Sequence, residues 1–75
     1  MSRNEKFITN RIKNNKPAIR DYPQGTPVYY EGIDGDVQES TVTASGGETI
    51  MLANGNWCYS WQLVAVSELP ALVRL

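Results

Sequence analysis

The chain has 75 residues, one cysteine and no histidine, and its net charge of −1 combines two segments of opposite sign. A chain this short forms one domain. With one cysteine it cannot close an internal disulfide, and without histidine it lacks the commonest general base and metal ligand. Residues 1–20 hold six basic residues and one acidic residue, a net charge of +5, whereas residues 21–75 hold one basic and seven acidic residues, a net charge of −6. The asymmetry favours an acidic or nucleic-acid partner for the basic segment.

Residues 1–24 are predicted to form a basic N-terminal arm that is partly helical. Phe7, Ile8 and Ile12 lie near one face of a helix, and Pro17 ends the pattern. A docked short helix and a frayed, charged terminus remain equal alternatives. No apolar run follows the basic start, so the sequence predicts neither a secretory signal nor a membrane span. The single cysteine favours a reducing, cytoplasmic setting.

Residues 25–69 are predicted to form five short antiparallel strands. The β-like runs are residues 28–30, 37–44, 49–53, 57–61 and 63–66. Asn54-Gly55 is typical of a hairpin turn, because both residues tolerate a positive φ. Closure of the strands into a small barrel would remove exposed edges. The predicted core residues are Val28, Val42, Ile50, Leu52, Val64 and Val66.

The last segment, residues 70–75, is an apolar C-terminal tail. Such a tail is expected to pack against the barrel or against a second copy of the chain. Because a domain of this size is marginally stable alone, self-association as a homo-oligomer is also expected.

The strand layout, with turns at Asp34-Gly35 and Asn54-Gly55, resembles that of SH3-like barrels of the Tudor or KOW type over residues 25–69. This resemblance implies an all-β, five-stranded antiparallel barrel that binds RNA, proline-rich peptides or modified side chains through aromatic residues on one face. The candidate aromatic face consists of Tyr29, Tyr30, Trp57, Tyr59 and Trp61. A core role for Trp57, Tyr59 and Trp61 is favoured over a binding role, because rings at alternating strand positions often fill the core of a small barrel.

A second resemblance covers residues 60–66, which are similar to the pore segment of type II dihydrofolate reductases. Gln62 matches that family and Leu63 is a near match, while Val64 replaces a tyrosine and Trp61 replaces a smaller residue. The resemblance implies an oligomeric enzyme that uses a nicotinamide cofactor.

No catalytic residue, metal site or cofactor is predicted from the remaining residues. Cys58 has no histidine partner and is interpreted as a buried, inert thiol. Asp34 and Asp36 lack the other ligands of a calcium loop and are interpreted as a solvated turn. Gly46-Gly47 is followed by an acidic residue instead of the lysine of a phosphate loop, so it is also assigned to a turn.

The basic arm is the leading functional candidate. Its cations can neutralise phosphates or acidic side chains, with Arg3, Lys6, Arg11, Lys13, Lys16 and Arg20 as the contact residues. A solvated terminus, or pairing with the acidic surface of the same chain, remains an equal alternative.

Three functions follow as hypotheses. The first is a non-enzymatic binding module for a protein or nucleoprotein partner, in which the arm supplies electrostatic attachment. The second is an oligomeric enzyme resembling type II dihydrofolate reductase. The third is a small inhibitory protein, from a phage or another mobile element, that occludes a host surface.

Overall fold

The computed structural model describes residues 3–14 and 22–75, and these residues form one helix and five strands in a mainly β fold. The helix α1 spans Arg3–Asn14, and the strands are β1 (Pro27–Glu31), β2 (Val37–Gly46), β3 (Thr49–Leu52), β4 (Trp57–Tyr59) and β5 (Leu63–Ala65). Single 3-10 turns occupy Ser60–Gln62, Val66–Glu68 and Ala71–Val73. The predicted fold class, five antiparallel strands with an N-terminal helix, is confirmed at this level.

The strands form one antiparallel sheet in the order β4-β3-β2-β1-β5. Strand β2 pairs with β1 along its first half and with β3 along its second half. The register shifts between Val42 and Ala44, and such a bulge bends a strand and increases its twist. Among the described residues, β4 and β5 are the two edges of the sheet, so closure into a barrel is not confirmed.

The predicted hairpin at Asn54-Gly55 joins β3 to β4. Gly55 has a φ of +88°, a left-handed conformation that glycine adopts without strain. The amide of Leu52 donates to the carbonyl of Asn56 at 2.9 Å and closes the turn. The turn therefore fixes which residues of β3 and β4 face each other, and with them the side chains exposed on each face.

One apolar cluster packs on one face of the sheet and is called here the inner cluster. It consists of Tyr22, Val28, Tyr30, Val42, Ile50, Leu52, Cys58, Leu63 and Ala65. Val28 pairs with Ala65, and Tyr30 pairs with Leu63, so alternate residues of β1 and β5 point into it.

A second apolar cluster, called here the helix-side cluster, lies on the opposite face of β1 and β5. Tyr29 and Val64 are cross-strand partners on that face, where Ile8 and Ile12 of α1 cover them. Ile8 and Ile12 lie one helical turn apart, so both isoleucines reach the same surface. The docked-helix prediction is confirmed for residues 3–14, and a frayed terminus is wrong for them.

The core prediction is correct for five of its six residues. Val28, Val42, Ile50, Leu52 and Val64 are buried. Val66 is only partly buried, because β5 ends at Ala65 and Val66 begins a 3-10 turn beside the helix-side cluster.

The C-terminal segment packs on its own chain, as one of the two expected alternatives required. Val73 is packed against the helix-side cluster, and the amide of Leu75 donates to the hydroxyl of Tyr29 at 2.9 Å. The side chain of Asn4 donates to the carbonyl of Arg74 at 3.3 Å, which ties the tail to α1. The guanidinium of Arg74 donates twice to the carbonyl of Leu69, at 2.9 and 3.1 Å.

Candidate binding surface

Strand β4 has one buried and one exposed face. Cys58 points into the inner cluster, whereas its neighbours Trp57 and Tyr59 point outward, as the two-residue period of a strand requires. Trp57 is 55% exposed, a large fraction for an indole side chain. Met51 of β3 is the cross-strand partner of Trp57 and is 44% exposed on the same face.

The three outward aromatic side chains, called here the aromatic ladder, are Trp57, Tyr59 and Trp61. The rings of Trp57 and Tyr59 meet edge to face, with centroids 5.4 Å apart and planes at 84°. The rings of Tyr59 and Trp61 are stacked, with centroids 4.7 Å apart and planes at 1°. Trp61 lies beyond β4, in the Ser60–Gln62 turn. The ladder is therefore a continuous surface that is already ordered by its own ring contacts.

Two hydrogen bonds hold the chain where the ladder leaves β4. The amide of Tyr59 donates to Oε1 of Gln62 at 2.8 Å, and the amide of Ser60 donates to the carbonyl of Glu48 at 2.8 Å. The first bond closes the Ser60–Gln62 turn, and the second ties it to the turn between β2 and β3. Trp61 is thereby placed on a fixed backbone.

A groove with a volume of about 520 Å³ adjoins the ladder. One side is formed by the loop after β1, and the other by the β3–β4 turn and β4. Its lining residues are Tyr30, Glu31, Gly32, Ile33, Gly55, Asn56, Trp57, Cys58, Tyr59 and Gln62. This volume lies within the usual range of small-molecule pockets.

The hydroxyl of Tyr30 joins the two sides of the groove. It donates to Oε1 of Gln38 at 2.9 Å. It accepts from the side-chain nitrogens Nδ2 of Asn54, at 2.6 Å, and of Asn56, at 3.2 Å. These contacts link β1 and β2 to the β3–β4 turn. The groove walls are therefore held at a fixed separation, which reduces the ordering cost of binding.

The structure brings together only part of the predicted aromatic face. Trp57, Tyr59 and Trp61 form the ladder, and Tyr30 lies at the groove floor with its ring buried. Tyr29 is 1% exposed in the helix-side cluster and does not belong to this surface. The core interpretation of Trp57 and Tyr59 is wrong, because alternation along β4 gives the inward position to Cys58.

Several groove residues were not singled out from the sequence. Glu31 and Asn56 line the groove, and Met51 extends the ladder across the strand pair. The signal for Met51 was present, since it lies between two predicted core residues and must face outward in a strand. The positions of Glu31 and Asn56 depend on how two separate turns approach each other, which no local pattern reveals.

Cys58 has the environment expected of an inert thiol. It is buried, and desolvation by burial raises the pKa of its thiol from 9.0 to about 11. A thiolate is the reactive form of cysteine, so this shift opposes nucleophilic chemistry near neutral pH.

Four of the six predicted arm cations lie in the described part of the chain. Arg3, Lys6, Arg11 and Lys13 are exposed on α1. Lys16 and Arg20 lie outside the described residues. The helix also has Glu5 in its first turn and two cations in its last turn, an arrangement that complements the helix dipole.

The acidic residues lie in a turn as predicted, whereas only the second residue of the Gly46-Gly47 pair does so, because β2 continues to Gly46. Asp34 and Asp36 are exposed in the loop between β1 and β2. Gly47, which follows the end of β2, has a φ of +65°. Within residues 3–14 and 22–75, no three histidine, cysteine or acidic side chains are grouped as a metal site would require.

No protein-family model, curated protein or solved structure matches this chain. The likenesses to SH3-like barrels and to type II dihydrofolate reductases therefore rest on strand layout and on a few residues. In the part of the chain that the structure describes, no helix has the length and apolar character to span a membrane.

Proposed function

We propose that this chain is a non-enzymatic binding module built on an SH3-like, partly open barrel. The strand order and the 3-10 turn between β4 and β5 support that layout. The observation that carries the proposal is the aromatic ladder, which stays exposed beside a preformed groove. Exposed, contiguous aromatic residues are typical of interaction sites, since they supply large contact areas at a low cost in conformational entropy.

The partner in this proposal is a protein or nucleoprotein. The ladder supplies most of the binding free energy, because aromatic residues dominate the energetics of interfaces. The exposed cations of α1 add electrostatic attachment to an anionic part of the same partner. This division assigns most of the affinity to β4 and the attraction to an anionic region of the partner to the helix.

The test of the ladder compares Trp57→Ala with Phe7→Ala in capture experiments on lysates, followed by affinity measurement on the captured partner. Both side chains are exposed and apolar, so the control removes a similar surface from α1. We expect Trp57→Ala to weaken binding by more than tenfold, corresponding to about 1.4 kcal/mol or more, and Phe7→Ala to change it little. Equal effects of the two variants would contradict a ladder-based site.

The test of the helix replaces Arg3, Lys6, Arg11 and Lys13 with glutamine. Deletion of residues 1–20 is unsuitable, because it removes Ile8 and Ile12 from the helix-side cluster. We expect the variant to fold and to bind the partner with a weaker dependence on salt concentration. An unchanged salt dependence would remove the helix cations from the proposal.

The two alternative functions remain hypotheses with separate tests. Gln62 lines the groove, so a nicotinamide cofactor would be expected to perturb the indole signals of the ladder if the chain resembles type II dihydrofolate reductase. A monomer in sedimentation that shows no cofactor binding contradicts that hypothesis. An inhibitory role requires that the captured partner lose activity when this chain binds it.

A further inference from the structure

The strand body contains acidic residues and no basic ones. Residues 22–73, which include every strand and turn of the sheet, contain six acidic residues and neither lysine nor arginine. Glu31 is the charged residue among those that line the groove. Any ligand seated there meets a negative local potential, which attracts cations and repels phosphates and carboxylates.

Two chain segments that border the surface contain acidic residues. Glu31 is partly buried at the end of β1, and the loop that follows it lines the groove with Gly32 and Ile33 and also contains the exposed Asp34 and Asp36. At the far end, the carbonyl of Glu48 accepts from the amide of Ser60, which places that residue beside the Ser60–Gln62 turn. Within residues 22–73, no lysine or arginine compensates these negative charges.

Aromatic rings add their own preference for positive charge. The face of an indole or phenol ring is electron-rich, so a cation placed over it is attracted, most strongly by tryptophan. Ile33, which is fully exposed at the lip of the groove, and Met51 provide apolar contacts for the stem of a long side chain. Ring faces, carboxylates and apolar contacts together match a side chain with an aliphatic stem and a cationic head.

We propose that the aromatic ladder and the groove bind an arginine-containing segment of a protein partner; this inference rests on the proposed function and specifies its ligand. Arginine fits better than lysine, because its planar guanidinium stacks on aromatic rings and also donates in parallel to a carboxylate such as Glu31. Single-stranded nucleic acid also stacks on aromatic rings, but its phosphates are repelled by Glu31 and by the net negative charge of residues 22–73. The two surfaces thus select opposite charges, with anions at α1 and cations at β4.

The test titrates the full chain with short, unstructured glycine-serine peptides and follows it by heteronuclear NMR. One peptide carries two arginines, a second carries two lysines, and a third carries citrulline, which keeps the shape of arginine without its charge. We expect the arginine peptide to shift the indole signals of Trp57 and Trp61 and to bind at least about tenfold more tightly than the citrulline peptide. The lysine peptide is expected to bind with intermediate affinity.

Two substitutions locate the cation. Glu31→Gln keeps the size of the side chain and is expected to weaken binding of the arginine peptide by about three- to tenfold. Glu39→Gln is the matched control, because Glu39 is the cross-strand partner of Tyr29 on the helix-side face and does not line the groove. We expect the control to change the affinity less than twofold, which is within the usual effect of an exposed charge.

Four results would overturn this inference. The first is equal binding of the citrulline and arginine peptides, and the second is that the peptides shift only signals of α1. The third is that a single-stranded oligothymidylate shifts the NMR signals of the ladder. The fourth is self-association in sedimentation that already covers Trp57. The first result leaves the proposed function in place, because the loss of partner binding in Trp57→Ala is measured independently of ligand charge.

Discussion

The helix-covered face of β1 and β5 and the exposed face of β3 and β4 are both rich in large apolar side chains, but within residues 3–14 and 22–75 only the first face is covered by another element. Tyr29 is almost fully buried under Ile8 and Ile12, and its hydroxyl is bonded to the backbone of Leu75. On the other face, the aromatic ladder has ring contacts and a neighbouring groove but no covering element among the described residues.

The difference shows how a small chain distributes its limited apolar surface. Full burial of a large apolar side chain stabilises a fold by about 1.5–3 kcal/mol, so α1 and the C-terminal segment contribute much of the stability of the β1–β5 face. The partly exposed side chains of the ladder stabilise the fold less than they would if they were fully buried. This exposed, ordered apolar surface is the feature on which the proposed binding function rests.

The largest expected effect comes from removing the helix cover. Ile8→Ala should lower the free energy of unfolding by about 2–4 kcal/mol, because it leaves a cavity between α1 and the sheet. Urea denaturation followed by circular dichroism measures the change. Phe7→Ala, at the neighbouring exposed position of the same helix, should cost less than about 1 kcal/mol. Equal losses in the two variants would mean that the helix does not dock through Ile8.

The reactivity of Cys58 tests whether its side chain lies on the buried face of β4. Burial raises the pKa of its thiol from 9.0 to about 11, so alkylation by iodoacetamide near neutral pH should be about 100-fold slower in the folded chain than in urea. Mass spectrometry of the alkylated chain gives both rates. Rapid labelling of the folded protein would contradict the inward position of Cys58.

The same shift predicts a direction for stability against pH. The unfolded chain releases the thiol proton near pH 9.0, whereas the folded chain retains it until about pH 11. The contribution of Cys58 to stability is therefore complete below pH 9 and is lost as the pH rises between these values. Cys58→Ala removes this contribution to the pH dependence and serves as the control in alkaline denaturation.

A smaller effect is expected at the hydroxyl that joins the groove walls. Tyr30→Phe should lower the free energy of unfolding by about 1–3 kcal/mol, because it leaves Gln38, Asn54 and Asn56 without a shared partner. Tyr59→Phe, on the exposed ladder, should change it by less than about 0.5 kcal/mol. Thermal unfolding of the two variants decides the comparison, and a cost as large for Tyr59→Phe would show that the ladder is structurally essential.

Local patterns in the sequence determined the strands, the Asn54-Gly55 hairpin and four of the nine residues of the inner cluster. They did so because alternation and turn conformation depend on neighbouring residues alone. The apolar face of α1 was also visible, but its docking was not, since a thin stripe such as Ile8 and Ile12 stabilises a helix only when a matching surface exists. That surface, Tyr29 and Val64, comes from strands far away in the chain.

Only the tertiary structure decided which aromatic residues are exposed. Tyr29 in β1 and Trp57 in β4 are both aromatic residues of short strands. Whether each is buried depends on whether a distant segment packs over it. The groove is likewise a product of topology, because it forms where the loop after β1 meets the turn between β3 and β4. Composition determined the sign of the charge on the sheet, because residues 22–73 contain acidic residues and no basic ones. The fold determined that Glu31 lines the same groove as Trp57 and Tyr59. Such proximity, like burial, depends on contacts between residues distant in sequence.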